Sequence, residues 1–368
     1  MNRLSYRSAA TLGIVCLGVR AFFAAYIDSP ELLGAGWLGV LAGGAFSLPT
    51  LAALYAIAHL YPHAEPEEAL AACMGPAAAK IALALLALNM LYETAAVARM
   101  LMASSIYEEH RLTAPFWAVL PALIAAALVV LTGANGVGGA AGVFLRFAPL
   151  LIVLILGVHL DDYQPARLAP VLGMGWPAIL QGGGKVAGAL APIAALWLVQ
   201  SGKQTGYARR ERRAKPWLMP AICSAAVLIA ALWAALALML EANVFSVPQS
   251  RVFRLRLLLS NGSSPTYLQL PYVALWYGAL LCAQGFSLFA AARLLQAAVP
   301  PCPFSLATGL CTFATALIAG FRLAEQPIVQ MLAPWQAAGT GVILLLAAAI
   351  GGIRKGGSSP CAPQTSPK

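Results

Sequence analysis

Five ionisable side chains sit inside long apolar runs. Arg20 lies in LGIVCLGVRAFFAAY and Glu93 follows Tyr92 in LALNMLYETAAVARM, with Arg99 six residues on. Arg146 lies in GVFLRFAPLL, and Lys185 follows three glycines in ILQGGGKVAGAL. A charged residue at the centre of a membrane-crossing helix costs about 2.5–3.5 kcal/mol on insertion scales, so it normally faces a partner, a cavity or water. Arg20 has two readings: its forked guanidinium clamps a carboxylate or other anion, or it snorkels to the outer interface. Glu93 is a ligand for a substrate amine, a proton carrier, or one half of a structural pair with another helix. Arg99 falls nearly opposite Glu93 around a helix, so the two do not pair within it. Arg146 reads as an anchor near the cytoplasmic end of its run. Lys185 either titrates or caps the glycine turn before it.

Other chemistry-bearing patterns are sparse. His59 and His63 stand four apart, with Glu65 following, but at a helix end beside Pro62 they lack a fixed third ligand. The seven cysteines form no CxxC pair, and Cys16, Cys73, Cys223, Cys282 and Cys311 lie in or beside apolar runs, where a thiol behaves as a small hydrophobe. There is no GxSxG, phosphate loop or HExxH, and Asn261-Gly262-Ser263 reads as a turn. The expectation is no enzyme, no metal and no cofactor.

The elements that must position these residues are membrane helices. Of 368 residues, 61% are apolar and 10% charged, with a mean hydropathy of +0.79, whereas a soluble domain carries roughly 25% charged residues. That excludes an ordinary cytoplasmic enzyme, a nucleic-acid binder and a disordered tail protein, despite the net charge of +10. A crossing helix needs about 20 mostly apolar residues, and ten runs qualify: 9–26, 37–59, 81–104, 116–131, 141–158, 179–199, 217–240, 270–294, 304–321 and 335–353. The alternation of outer-membrane barrel strands is missing. Basic residues set the orientation. With both termini in the cytoplasm, thirteen of the 23 Lys and Arg lie inside, led by the loop 203–215 with six against one Glu. The segment 244–260 carries three Arg among Phe, Val and Leu; it is either an interfacial amphipathic helix or a docking surface. Residues 1–355 form a single transmembrane domain, and 356–368, rich in Gly, Ser and Pro, form a disordered cytoplasmic tail.

Two runs carry helix-weakening residues at matching places. The first has Gly13, Gly18 and then Arg20; the sixth has Gly182 to Gly184, Lys185, Gly188 and Pro192. A Gly in a helix interior costs about 1 kcal/mol and a Pro about 3, and Pro192 releases the carbonyl of Gly188. Interrupted helices at equivalent positions of two halves mark a transporter-type site near the midplane. Ten spans divide five plus five, about 9–158 and 179–353, and an odd repeat length inverts the second half. The competing reading is close helix packing through small residues. The expected fold is an all-α membrane protein, an inverted repeat of the leucine-transporter type with helices 1 and 6 discontinuous. The pocket lies between spans one, three, six and eight, lined by Gly18, Arg20, Tyr92, Glu93, Gly188, Ala191 and Pro192. Trp276 and Gln284 either join it or belong to the core.

Several stretches resemble the spore germination permease family, the B subunits of nutrient germinant receptors within the amino acid–polyamine–organocation superfamily. They are LLGAGWLGVLAGG, HLYPHAEPEEAL, AVARMLMASSIYEEHRLTAPFWAVL, GVFLRFAPLLIVLIL and LDDYQPARLAPVLGMGWPAILQGG. Arg99, Arg146 and Gly18 match family positions, and Arg99, Arg146 and Lys185 are assigned structural or gating roles. Arg20 stands where the family often has a second Gly. Ala191, Pro192 and Ala194 stand where it commonly has a Gly-Gly pair and an acidic residue. The resemblance implies a subunit of the cell membrane or spore inner membrane that senses a nutrient, typically an amino acid. Its implied partners are a larger membrane subunit and a lipoprotein subunit, with no nucleic acid. A proton-coupled amino acid transporter of the same superfamily is the alternative.

Overall fold

Helix α1, Tyr6–Tyr26, opens the fold of a computed structural model that describes residues 4–26, 29–62, 64–103, 115–158, 164–168, 172–200, 218–240, 269–321 and 326–357. After it come α2 (Gly36–Phe46), α3 (Leu48–Leu60), α4 (Pro66–Met74), α5 (Pro76–Ala103), α6 (Pro115–Leu131) and α7 (Ala134–Val158). The second half contains α8 (Trp176–Leu190), α9 (Ile193–Val199), α10 (Leu218–Leu240), α11 (Gln269–Ala298), α12 (Phe304–Gly320) and α13 (Gln326–Gly357). No strand is present among the described residues beyond one bridge between Leu4 and Gln200. Eight spans are long and apolar enough to cross a membrane; α6 and α12 carry shorter apolar stretches. Length and composition thus support an integral membrane protein with eight full spans. The basic loops 203–215 and 244–260, the tail from 358, His63 and the 261–263 turn lie outside the described residues.

Enclosure sorts the spans into an inner and an outer set. The stretch Trp176–Val199, made of α8 and α9, is 94% buried, and the apolar parts of α11, α1 and α5 follow at 78%, 72% and 61%; α7 is only 22% buried. The inner four are spans one, three, six and eight. Their most extensive mutual contact joins α5 to α11, while α8 packs on α1, α2 and α13. One apolar cluster runs through them all, from Leu12 on α1 through Met90 on α5 and Leu196 on α9 to Phe289 on α11.

At one end of the bundle, polar contacts gather. Leu4 N–H donates to the Val199 carbonyl at 3.1 Å. Lys355 Nζ donates to the Leu60 carbonyl at 2.6 Å, and Arg354 Nη1 to that of Ala72 at 3.3 Å. Arg293 faces Glu67 at 3.6 Å. Helix α4, started by a capping box between Glu65 and Glu68, is gripped by Arg354 and Arg293, while Lys355 holds the end of α3. A capping box satisfies two of the amide protons left open at a helix start.

Three expectations are corrected here. Helix α1 is continuous through Gly18 and Arg20, so span one is not discontinuous. Gly13 and Gly18 lie against α10 instead: a Cβ on Gly13 would collide with Ile222, and one on Gly18 would touch the Ala226 backbone at 3.7 Å. Gly182 to Gly184 do not turn either; they stay helical within α8, where Leu32 and Ala42 press on Gly182 and Gly183. In both helices glycine serves close approach, which offsets its intrinsic cost. Lastly, Arg146 is not near a helix end. The small residues from Ala134 extend α7, with Gly138 packed on Ser8, and this places Arg146 at the centre of the helix.

Candidate functional site

Span six tightens where Pro192 predicts a discontinuity: Ala191 and Pro192 keep helical backbone angles, so Trp176–Val199 stays one span and is not unwound. Ala191 and Pro192 separate α8 from α9, and the Gly188 carbonyl, which a helical N–H at 192 would have taken, accepts from Ala191 N–H at 3.1 Å. The chain tightens there into a three-residue turn and leaves the short α9 entirely buried. Gly188 itself faces α13: a Cβ there would collide with the Ala333 backbone. It is a packing residue of the α8–α13 crossing. Ala191 and Pro192 form the tightened turn, and both are enclosed.

The inner helices bring together Arg20 and Glu93, 73 residues apart in the chain. Arg20 Nε and Glu93 Oε1 form an ion pair, and Nη2 donates to Oε2 at 3.0 Å, so the guanidinium and carboxylate meet fork to fork. Each residue is 4% exposed. The remaining guanidinium nitrogen, Nη1, points at Met100 Sδ at 3.0 Å. Glu93 and Met100 are seven apart, hence on one face of α5, and that face receives Arg20. The snorkelling alternative for Arg20 is overturned, because its head is buried between helices.

A sulfur, that of Met100, lies against this pair, and α11, which packs on both α1 and α5, brings an aromatic cluster and an unsatisfied amide. Cys16, one turn before Arg20 on α1, is buried in the same apolar core. Trp276 of α11 packs on Phe22 at 5.0 Å and edge-on to Phe23 at 4.9 Å between ring centroids, tying α1 to α11 above Arg20. Gln284 is fully buried, and neither its amide nitrogen nor its oxygen finds a partner among the described residues. Gly285 beside it is buried too, yet a Cβ there would meet nothing within 4 Å. A Cβ on Gly285 would therefore have open space at its own face of α11, about 100° around the helix from Gln284. Gly285 and Cys282 are three apart and share one face of α11. A buried polar group without a partner costs about 1–3 kcal/mol, and such groups in native folds point to an absent water or ligand.

Placement of the other expected site residues varies. Tyr92 is half-buried beside Glu93, and Gly18 faces α10. Arg99 is half-buried near the end of α5, whereas Lys185 is buried inside α8. Sequence reading missed Cys16, Phe22, Phe23, Met100 and Gly285. The helical spacing of Cys16 and Phe23 from Arg20, and of Met100 from Glu93, would have placed three of them. Nothing local marks Gly285 as facing open space. Among the described residues no cluster of His, Cys, Asp or Glu has the makings of a metal site.

No protein-family model matches the sequence, and no curated protein matches it. Among solved structures the chain is similar to Mhp1, a nucleobase-cation-symport-1 family transporter captured in a closed conformation with bromovinylhydantoin bound. The likeness has a TM-score of 0.60 at 15% identity, over 93% of this chain and 78% of that one. At that identity the likeness is one of fold, and the fold is the leucine-transporter type to which Mhp1 belongs.

Proposed function

We propose that this membrane protein binds a small zwitterionic nutrient, of the amino acid class, between α1, α5, the α8–α9 turn and α11. The observation that carries the reading is the buried Arg20–Glu93 pair, closed on itself between α1 and α5, while α11, which packs on both helices, carries the unpartnered Gln284 amide. A buried ion pair is weak in stability terms, since well-packed apolar residues do as well or better. A binding role gives it a reason. The ligand carboxylate replaces Glu93 on the guanidinium and the ligand ammonium replaces Arg20 on the carboxylate, so no charge is left bare during the exchange. The Gln284 amide supplies one donor and one acceptor to the bound molecule. The ligand then favours the conformer in which the pair is parted, which is what both sensing and transport require.

The finer reading is a nutrient-sensing subunit of a spore germinant receptor, built as a five-plus-five inverted repeat with both termini in the cytoplasm. It would assemble with a larger membrane subunit and a lipoprotein subunit. The sequence stretches that resemble the germination permeases support it. So does the occupation of Glu93, the one carboxylate within the spanning helices among the described residues, by an arginine; that leaves proton coupling without a free acidic carrier there. The second reading, a proton-coupled amino acid transporter, draws on the fold likeness to a cation symporter.

Purified protein in proteoliposomes tests these readings with a panel of labelled amino acids. Saturable binding that is lost in Arg20→Ala and weakened less in Arg20→Lys is the expected result, without counterflow or internal acidification for a sensor. Counterflow assigns the transporter. Equal binding by all three proteins, or none by the wild type, refutes the zwitterion site.

A further inference from the structure

Arg146 is the central residue of α7, Ala134–Val158, with twelve residues on either side. At about 1.5 Å per residue each end of the helix is about 18 Å away, farther than an arginine side chain reaches by snorkelling. Yet its side chain is exposed on the outside of the bundle. Among the described residues it has no hydrogen bond, ion pair or ring contact. The inner face of α7 is spoken for: Phe144 packs on Gly278 of α11, and Ala141 and Ala148 are buried. Two residues beyond Phe144, Arg146 projects about 200° around the helix from it. Its exposed neighbours at helical spacing are Val143, Leu150 and Val153, all apolar. Above Gly139 and Gly142, two turns and one turn before it, there is open space.

An unpaired cation among lipid-facing apolar side chains, far from both helix ends, calls for an anion at the same depth. A second copy of this chain does not supply one. Glu93, the only carboxylate within the spanning helices among the described residues, is buried against Arg20. We infer that this face of α7 is a docking surface for a transmembrane helix of a different protein, one that carries an Asp or Glu at mid-depth and lays its backbone over Gly139 and Gly142. Small residues permit such close approach, and polar side chains tie helices together where water is excluded. The inference is independent of what the core binds.

The test uses the full chain, fluorescently labelled, in phosphatidylcholine liposomes with a polyleucine transmembrane peptide bearing one central Glu or, as control, Gln. Energy transfer should show the Glu peptide associating about tenfold more tightly than the Gln peptide, with the preference abolished in Arg146→Leu and kept in Arg146→Lys. Because Arg146 faces outward, Arg146→Leu leaves the fold intact, which the unchanged melting curve checks. Equal association of both peptides, or a Glu preference that survives Arg146→Leu, overturns the inference. So does loss of the preference when phosphatidylglycerol is added, which assigns Arg146 to lipid phosphate. Pairing of labelled copies through Arg146 in place of the peptide overturns it as well.

Discussion

Removing Glu93 while keeping Arg20 strands a guanidinium that is 4% exposed. With charges about 3 Å apart at an effective permittivity of about 20, their attraction is about 5–6 kcal/mol, and the desolvation of both groups offsets much of it. Breaking a buried pair by deleting one partner costs about 3–5 kcal/mol, because the survivor is left uncompensated. Glu93→Gln and Arg20→Met are each expected to lose about that much stability. The double variant removes both charges and costs no more than either single one, which sets the coupling energy at about 3 kcal/mol or more. Thermal or denaturant unfolding in detergent, followed by tryptophan fluorescence, reads all four corners of the cycle. The double variant is further expected to fold but bind no amino acid, separating the pair's role in the ligand site from its role in the fold. Additive losses, with a coupling below about 0.5 kcal/mol, would show that the two side chains do not face each other and would refute the zwitterion-exchange argument.

Gln284→Leu removes two buried atoms without partners, so it should leave stability unchanged or raise it by about 1–3 kcal/mol while abolishing ligand binding; parallel melting and binding curves check both halves. Two glycine substitutions are expected to move in opposite directions in the same melting assay. Gly188→Ala forces α8 off the Ala333 backbone and costs about 1–3 kcal/mol, whereas Gly285→Ala fills open space and gains up to about 1 kcal/mol at the expense of ligand affinity. Cys73, on α4 outside the spans, has its thiol pushed up by burial, with Arg354 offsetting part of the shift. A raised thiol holds less thiolate at pH 8, so maleimide should label Cys73 more slowly than the partly exposed Cys302, as followed by intact-mass spectrometry.

Apolar run length located the helices, because the bilayer asks for a fixed length of hydrocarbon and the sequence satisfies it run by run. Pro192 located the tightened turn of span six, since a missing N–H acts wherever the residue sits. Glycine was harder to read. The same absent Cβ permits a turn or a close crossing, and only the neighbour decides; for Gly13, Gly182 and Gly183 the neighbours are Ile222, Leu32 and Ala42, and the outcome is crossing. The site inherits that correction. With α1 unbroken, it rests on side chains, Arg20, Glu93 and Gln284, and not on main-chain dipoles exposed by two facing breaks. Both charges were visible as anomalies in apolar runs. That they answer each other was not, because the contact spans 73 residues and depends on how α1 lies across α5. Arg146 was misplaced for a local reason: ANGVGGA looks like a loop by composition but folds as the first turns of α7.

Leu4 holds the Val199 carbonyl just past the Pro192 joint. The seven-residue rod between joint and tether is clamped at both ends, so it has little freedom to swing without dragging the start of the chain along. The segment around Leu4 becomes a handle on the innermost helix. A bulky fusion there, or loss of the first few residues, would retune the interior from outside it.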